Sequence, residues 1–89
     1  MHKSKRKWDC VDCSGDTKLE HFFAKNEVWF GEAGMPEEGM LCVGCLEARI
    51  GRTLCADDFT SAHINDPRRY SKTMRLVNRL TAKESFQLA

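Results

Sequence analysis

Long apolar runs are missing from this chain of 89 residues. None approaches the roughly 20 residues that a membrane-spanning helix needs, so no membrane partner is expected. The opening stretch, Met1-His-Lys-Ser-Lys-Arg-Lys-Trp8, is basic, but no apolar segment follows it as in a signal peptide. The expectation is a cytoplasmic protein in a reducing setting, where a disulfide framework is disfavoured. Five cysteines are also an odd number, which would leave Cys55 without a partner. Histidine is scarce: His2, His21 and His63 stand alone, none at ligand spacing from another. His21, beside Phe22, reads as a structural histidine. The Asp–His pair of an HNH nuclease is missing, and His63-Ile-Asn65 falls after the second cysteine turn rather than before it. Asp57 and Asp58 are adjacent, so on a helix they diverge and read as a solvated cap. These absences together predict a non-enzyme.

What is present is a pair of short cysteine turns, Cys10-Val-Asp-Cys13 and Cys42-Val-Gly-Cys45. Each sets two thiols one turn apart, so both sulfurs can face a single cation. Together they supply four soft ligands of a closed tetrahedral site with no position open to water or substrate. The sequence therefore predicts one structural zinc ion on Cys10, Cys13, Cys42 and Cys45. A chain this short often needs such a staple, because its core alone is small. Rubredoxin-like iron is the competing metal, and would make the chain an electron carrier. Rubredoxin turns usually carry glycine after each second cysteine, whereas Ser14 and Leu46 stand there. The βαβ setting of thioredoxin-like chemistry is not evident either.

Between the pairs, Leu19 to Lys25 reads as a short strand. Asn26 reads as the cap of a helix holding Glu27-Val-Trp-Phe30, with Gly34 as its stop, and Met35 to Gly39 as a loop. Leu46-Glu-Ala-Arg-Ile50 reads as helix ended by Gly51. Cys55 occupies a cap position before Ala56-Asp-Asp-Phe59, with Asp58 placed to complete a capping box. A knuckle, a strand and a second pair at a helix start resemble the treble-clef group of zinc folds. The expected fold is thus a small α+β, zinc-stabilised domain, treble-clef or zinc-ribbon-like, over residues 8–65. Its expected core is Trp8, Phe22, Phe23, Trp29, Phe30, Leu46 and Ile50, centred on Trp29.

The net charge of +1 hides an uneven distribution. Residues 1–7 form a basic tail with Lys3, Lys5, Arg6 and Lys7. Residues 9–66 carry twelve carboxylates against Lys18, Lys25, Arg49 and Arg52, and residues 67–89 six basic groups against Glu84. Asp66-Pro67 is the clearest helix start in the chain, opening a basic C-terminal helix and tail over 66–89 that runs helically to about Lys83. On that helix Arg68, Lys72, Arg75, Arg79 and Lys83 fall within an arc of about 80°, with Arg69 off the ridge near its start. Tyr70, Met74, Leu76, Val77 and Leu80 take the other side.

Ridge and tail together point to a polyanionic partner, DNA or RNA. Other readings stay open: a solvated helix face, a helix docked on the acidic body of its own chain, or an adaptor for an acidic or apolar-grooved protein anchored by Met74, Val77 and Leu80. Stacking platforms for single strands are not evident, because Phe22, Phe23, Trp29 and Phe30 are assigned to the core.

The run Gly39-Met-Leu-Cys-Val-Gly-Cys-Leu-Glu-Ala-Arg-Ile-Gly-Arg52 with Asp58-Phe59, and the upstream Trp8-x-Cys-x-x-Cys-x-Gly with Phe22-Phe23 and Trp29, resembles small uncharacterised proteins of bacteriophages and prophages. Such proteins are described as zinc-finger-like, so the resemblance implies fold and metal, with no activity attached. A phage-encoded adaptor or inhibitor directed at a host protein is one function it leaves open.

Overall fold

The computed structural model describes residues 9–88. Trp8 and the basic residues Lys3, Lys5, Arg6 and Lys7 therefore lie outside the described residues. Two helices of eight residues each anchor the fold, α1 over Val43–Ile50 and α2 over Met74–Thr81. A π-helical turn at Glu27–Glu32 and two 3-10 turns, at Ala56–Asp58 and His63–Asn65, complete the regular structure. Among the described residues no strand forms, only isolated bridges such as Ala24 with Phe59 and Cys10 with Met40. No helix among them is long and apolar enough to cross a membrane.

α1 ends as its sequence requires. Gly51 adopts φ 75°, and its N–H returns to the Glu47 carbonyl at 2.8 Å. A left-handed residue at that position is unstrained only for glycine. The helix expected from Glu27 forms as a wider turn, in which the Ala33 N–H reaches back five residues to Val28. Val28 is its buried residue, and the Asn26 side chain makes no cap bond. At Cys55 the expected arrangement holds, since the Asp58 carboxylate accepts the Cys55 N–H at 2.9 Å. Asp58 is not the solvated group expected: it is buried, with Arg52 Nη1 and Nη2 each donating to it at 2.9 Å.

The strand expected over Leu19 to Lys25 does not form, and Asn65 explains part of the reason. Its side-chain amide accepts the Phe23 N–H at 3.0 Å and donates to the Phe23 carbonyl at 2.8 Å. One buried side chain thus does for Phe23 what a neighbouring strand would do.

The helix expected from Asp66 is also shorter than its sequence signals. The Asp66 carboxylate accepts the Arg68 N–H at 2.9 Å, closing a local turn instead of capping a helix. Tyr70 then takes φ 60°, which no helix accommodates. The true cap is Thr73, whose hydroxyl oxygen accepts the Leu76 N–H at 3.1 Å. Lys83 lies beyond the helix end, after which the chain returns along Arg52 and Thr53: Thr53 N–H donates to Phe86 O at 2.7 Å.

The core centres on Phe22, which meets Trp29 and Phe59 edge-on at 6.4 and 5.6 Å between ring centroids. Leu41, Val43, Leu46, Leu54 and Leu76 fill the rest, fully buried. Trp29 and Ile50 pack against this cluster partly buried, so Trp29 is a flank rather than the centre. Phe23 and Phe30, expected inside, are exposed.

Candidate metal centre

The first cysteine turn is closed by its own backbone. Cys10 N–H donates to Gly15 O and Ser14 N–H to Cys10 O, both at 2.8 Å. Ser14 takes φ 64°, and the Gly15 N–H points at the Cys13 sulfur at 3.4 Å. The second turn is the start of α1: Cys42 is its N-cap, so Val43, Gly44 and Cys45 form the first helical turn. A helix start directs free N–H groups and partial positive charge toward a thiolate. The parallel bridge between Cys10 and Met40, with Val11 N–H donating to Met40 O at 2.9 Å, holds the two turns side by side.

The result is a four-sulfur cluster. The Sγ atoms of Cys10, Cys13, Cys42 and Cys45 all lie within 4.8 Å of one another. Cys13 and Cys42 stand 3.9 Å apart, and all five cysteines are free thiols. A tetrahedral ion with metal–sulfur bonds of about 2.3 Å has sulfur–sulfur edges of about 3.8 Å, close to this spacing. A disulfide would require about 2.05 Å. Four cysteines are thus arranged to share one metal ion. Cys55 is not among them; burial raises its thiol and it sits at the cap of the Ala56–Asp58 turn.

The electrostatics of the cluster fit that use. Burial opposes the Cys10 thiolate, but N–H groups of Cys42, Cys13 and Asp12 outweigh it and hold this thiol at about 7. Burial pushes the Cys42 and Cys45 thiols up, and the neighbouring sulfurs push Cys45 further. Several thiolates cannot share so small a volume without a cation among them.

Two arginines flank the sulfurs. Arg49 of α1 grips Asp12 of the first turn with Nε and Nη2, both at 2.8 Å, and donates Nη1 to Ala33 O at 3.0 Å. Arg75 of α2 reaches the second turn, where a Cβ on Gly44 would stand 2.9 Å from its Nη1. Glycine at that point leaves the guanidinium its place. Arg75 donates Nε and Nη2 to Glu20 at 2.9 and 2.8 Å. Glu20, only 5% exposed, also accepts the Val43 N–H at 3.0 Å and the Thr73 hydroxyl at 2.6 Å. Arg79 pairs in the same manner with Glu47 of α1 at 2.7 Å, and Glu47 accepts the Leu54 N–H at 2.8 Å.

These pairings correct the picture of a continuous basic ridge. Arg75 and Arg79 close on buried carboxylates of the chain's own body, which is the self-docked alternative the charge pattern left open. Lys72 lies before the helix and Lys83 beyond it. Arg68, Arg69 and Lys72 sit together in the loop ahead of α2, where Asp66 lies 3.6 and 3.5 Å from the two arginines. Leu80, expected as part of an adaptor face, is buried in the core with Leu76, while Met74 is exposed. The glutamates that receive the arginines gave no separate signal in the sequence, because Glu20 and Glu47 lie far from α2 along the chain.

No protein-family model, curated protein or solved structure matches this chain. Its function has to be read from the site itself.

Proposed function

We propose that this chain is a non-enzymatic binding module, folded around one structural zinc ion on Cys10, Cys13, Cys42 and Cys45, which associates with nucleic acid. The observation that carries the metal half is the mutual spacing of the four sulfurs, one tetrahedral edge apart. A set of four thiolates completes the coordination of zinc and leaves it no site to activate water. The first pair on a knuckle and the second at a helix start support a treble-clef-like frame, of the zinc-finger-like kind the phage-protein resemblance implies. Zinc bound in this way contributes roughly 10–16 kcal/mol of apparent binding energy, comparable to or larger than a small domain's whole stability. The zinc would thus be part of the fold, in a cytoplasmic setting that keeps the thiols reduced.

The nucleic-acid half rests on the cations left over once Arg75 and Arg79 are spent on Glu20 and Glu47. Arg68, Arg69, Lys72 and Lys83, with Lys3, Lys5, Arg6 and Lys7 of the tail, remain as phosphate contacts. Elemental analysis of protein purified without added metal tests the first half: one zinc per chain is expected, and a red iron form would promote the electron carrier. Binding to DNA and RNA probes across a salt series tests the second. Affinity should fall by orders of magnitude between about 50 and 200 mM salt if six or more phosphates are contacted. Salt-insensitive capture of a protein, with no binding to either nucleic acid, would put the adaptor in its place.

A further inference from the structure

The loop that displaces the expected helix start is built to display its side chains. It spans residues 67–72 and is pinned at both feet. Before it, Asn65 is buried and bonded through its side chain to Phe23. After it, Thr73 N–H donates to Leu19 O at 2.9 Å, and the Thr73 hydroxyl donates to Glu20. Both feet therefore stand on one segment, residues 19–23. Between the pins the loop carries Arg68, with 90% of its side chain exposed, then Arg69, Tyr70 and Lys72.

Tyr70 is the informative residue. It holds φ 60°, a left-handed conformation that costs a non-glycine residue about 1–2 kcal/mol. Burial of the ring does not offset that cost, since the residue is 63% exposed. The Lys72 ammonium lies 5.4 Å from the ring centroid and also donates to Arg69 O. An exposed aromatic ring thus stands against the Lys72 ammonium, with Arg68 and Arg69 just before it in the chain and Asp66 within ion-pair distance of both arginines. Phe23, at the foot of the loop and 52% exposed, offers a second ring, set edge-on to His21 at 5.6 Å.

We propose that this loop, with Phe23 at its base, is a docking site for single-stranded nucleic acid: unpaired bases stack on Tyr70 and Phe23, and Arg68, Arg69 and Lys72 take the phosphates. The inference rests on the nucleic-acid reading above and narrows it to one strand form and one surface. Exposed rings beside cations fit unpaired bases, whose faces a duplex keeps stacked within itself. The loop chemistry is common to RNA and DNA, and the experiment separates them.

The test uses the full zinc-loaded chain and labelled oligonucleotides of mixed sequence: single-stranded RNA, single-stranded DNA and the matching duplex. Wild type should prefer a single strand to the duplex. Tyr70→Ala should weaken single-strand binding roughly tenfold or more with the salt slope unchanged, while Tyr70→Phe keeps it. Arg68→Ala with Arg69→Ala should lower the salt slope by about 1.4, the value for two phosphates of a single strand. None of these side chains lies in the core, and Tyr70→Phe keeps the ring if Tyr70→Ala perturbs the loop. Wild-type binding that survives both the Tyr70→Ala and the arginine changes overturns the loop site and leaves the nucleic-acid reading standing, as does equal affinity for duplex. Wild type that binds none of the three probes takes both down.

Discussion

Replacing Arg75 with methionine should destabilise the metal-loaded protein, because Glu20 would lose the one cation within ion-pair distance of it among the described residues. Hydrogen bonds to a charged group contribute about 1.5–3 kcal/mol when fully formed. The Arg75 side chain is nearly half exposed, so solvent screens part of that, and the expected loss is about 1–2 kcal/mol. Glu20→Gln alone should cost a similar amount. The double variant should cost less than the sum, since Met with Gln leaves no buried carboxylate uncompensated. Urea unfolding of the four proteins at neutral pH would show a coupling of about 1 kcal/mol. The pH dependence gives an independent check of sign. Burial works against the Glu20 carboxylate, but Arg75, Thr73 and the Val43 N–H outweigh it and hold its pKa below the ordinary value. A depressed folded-state pKa stabilises above the unfolded value, near 4.3, and that stability is lost as pH falls through the folded pKa. The stability gap between wild type and Glu20→Gln should therefore be full near neutrality and close in the window below about pH 4.3. Comparing proteins at the same pH cancels the shared cost of protonating the thiolates. Strict additivity, within about 0.3 kcal/mol, would refute the pairing and return Arg75 to a free basic ridge.

Four further substitutions test other parts of the fold by the same unfolding assay. Phe22→Ala should cost about 3–5 kcal/mol, whereas Phe23→Ala should stay within about 0.5 kcal/mol, reversing the equal weight the sequence gives them. Gly51→Ala should cost about 1 kcal/mol from backbone strain alone, because a Cβ there meets nothing within 4 Å while φ stays at +75°. Arg52→Met should cost about 2–3 kcal/mol, since buried Asp58 would lose both guanidinium hydrogen bonds; a change under about 0.5 kcal/mol would mean that the pair is solvated in solution.

The features legible in the sequence are those fixed by neighbours a few residues away. The CxxC spacing alone places each sulfur pair on one turn, and Gly51 alone ends α1. Asp58 meets the Cys55 N–H three residues back, as a capping pattern requires. The strand at Leu19 to Lys25 is not legible, because its partner at Phe23 is Asn65, 42 residues on. The start of α2 misleads for the same reason. Asp66-Pro67 is locally an ideal opening, but helix through 73 would commit the Thr73 N–H to Arg69 O. That N–H donates instead to Leu19 O. The spacing of Arg75 and Arg79 correctly places them on one face of a helix. What that face meets is set by carboxylates 55 and 32 residues away.

The two arginine pairs have a common destination, which explains why a basic segment follows an acidic body. Glu20 accepts the N–H of Val43, the first residue of α1, and Glu47 belongs to α1 itself. Cys42 and Cys45 stand at that same helix start. The four-cysteine cluster therefore meets α1 at its start, and the guanidinium pairs tie α2 to the same helix. With its two central arginines paired in this way, α2 has a structural use of its own charge. Arg68 and Arg69, both exposed, lie where the chain declines to be helical, in the pinned loop before Thr73, and exposed Lys83 lies past the helix end. The docking site proposed above uses that loop, with Tyr70 between Arg69 and Lys72, and leaves the arginine pairs of α2 intact.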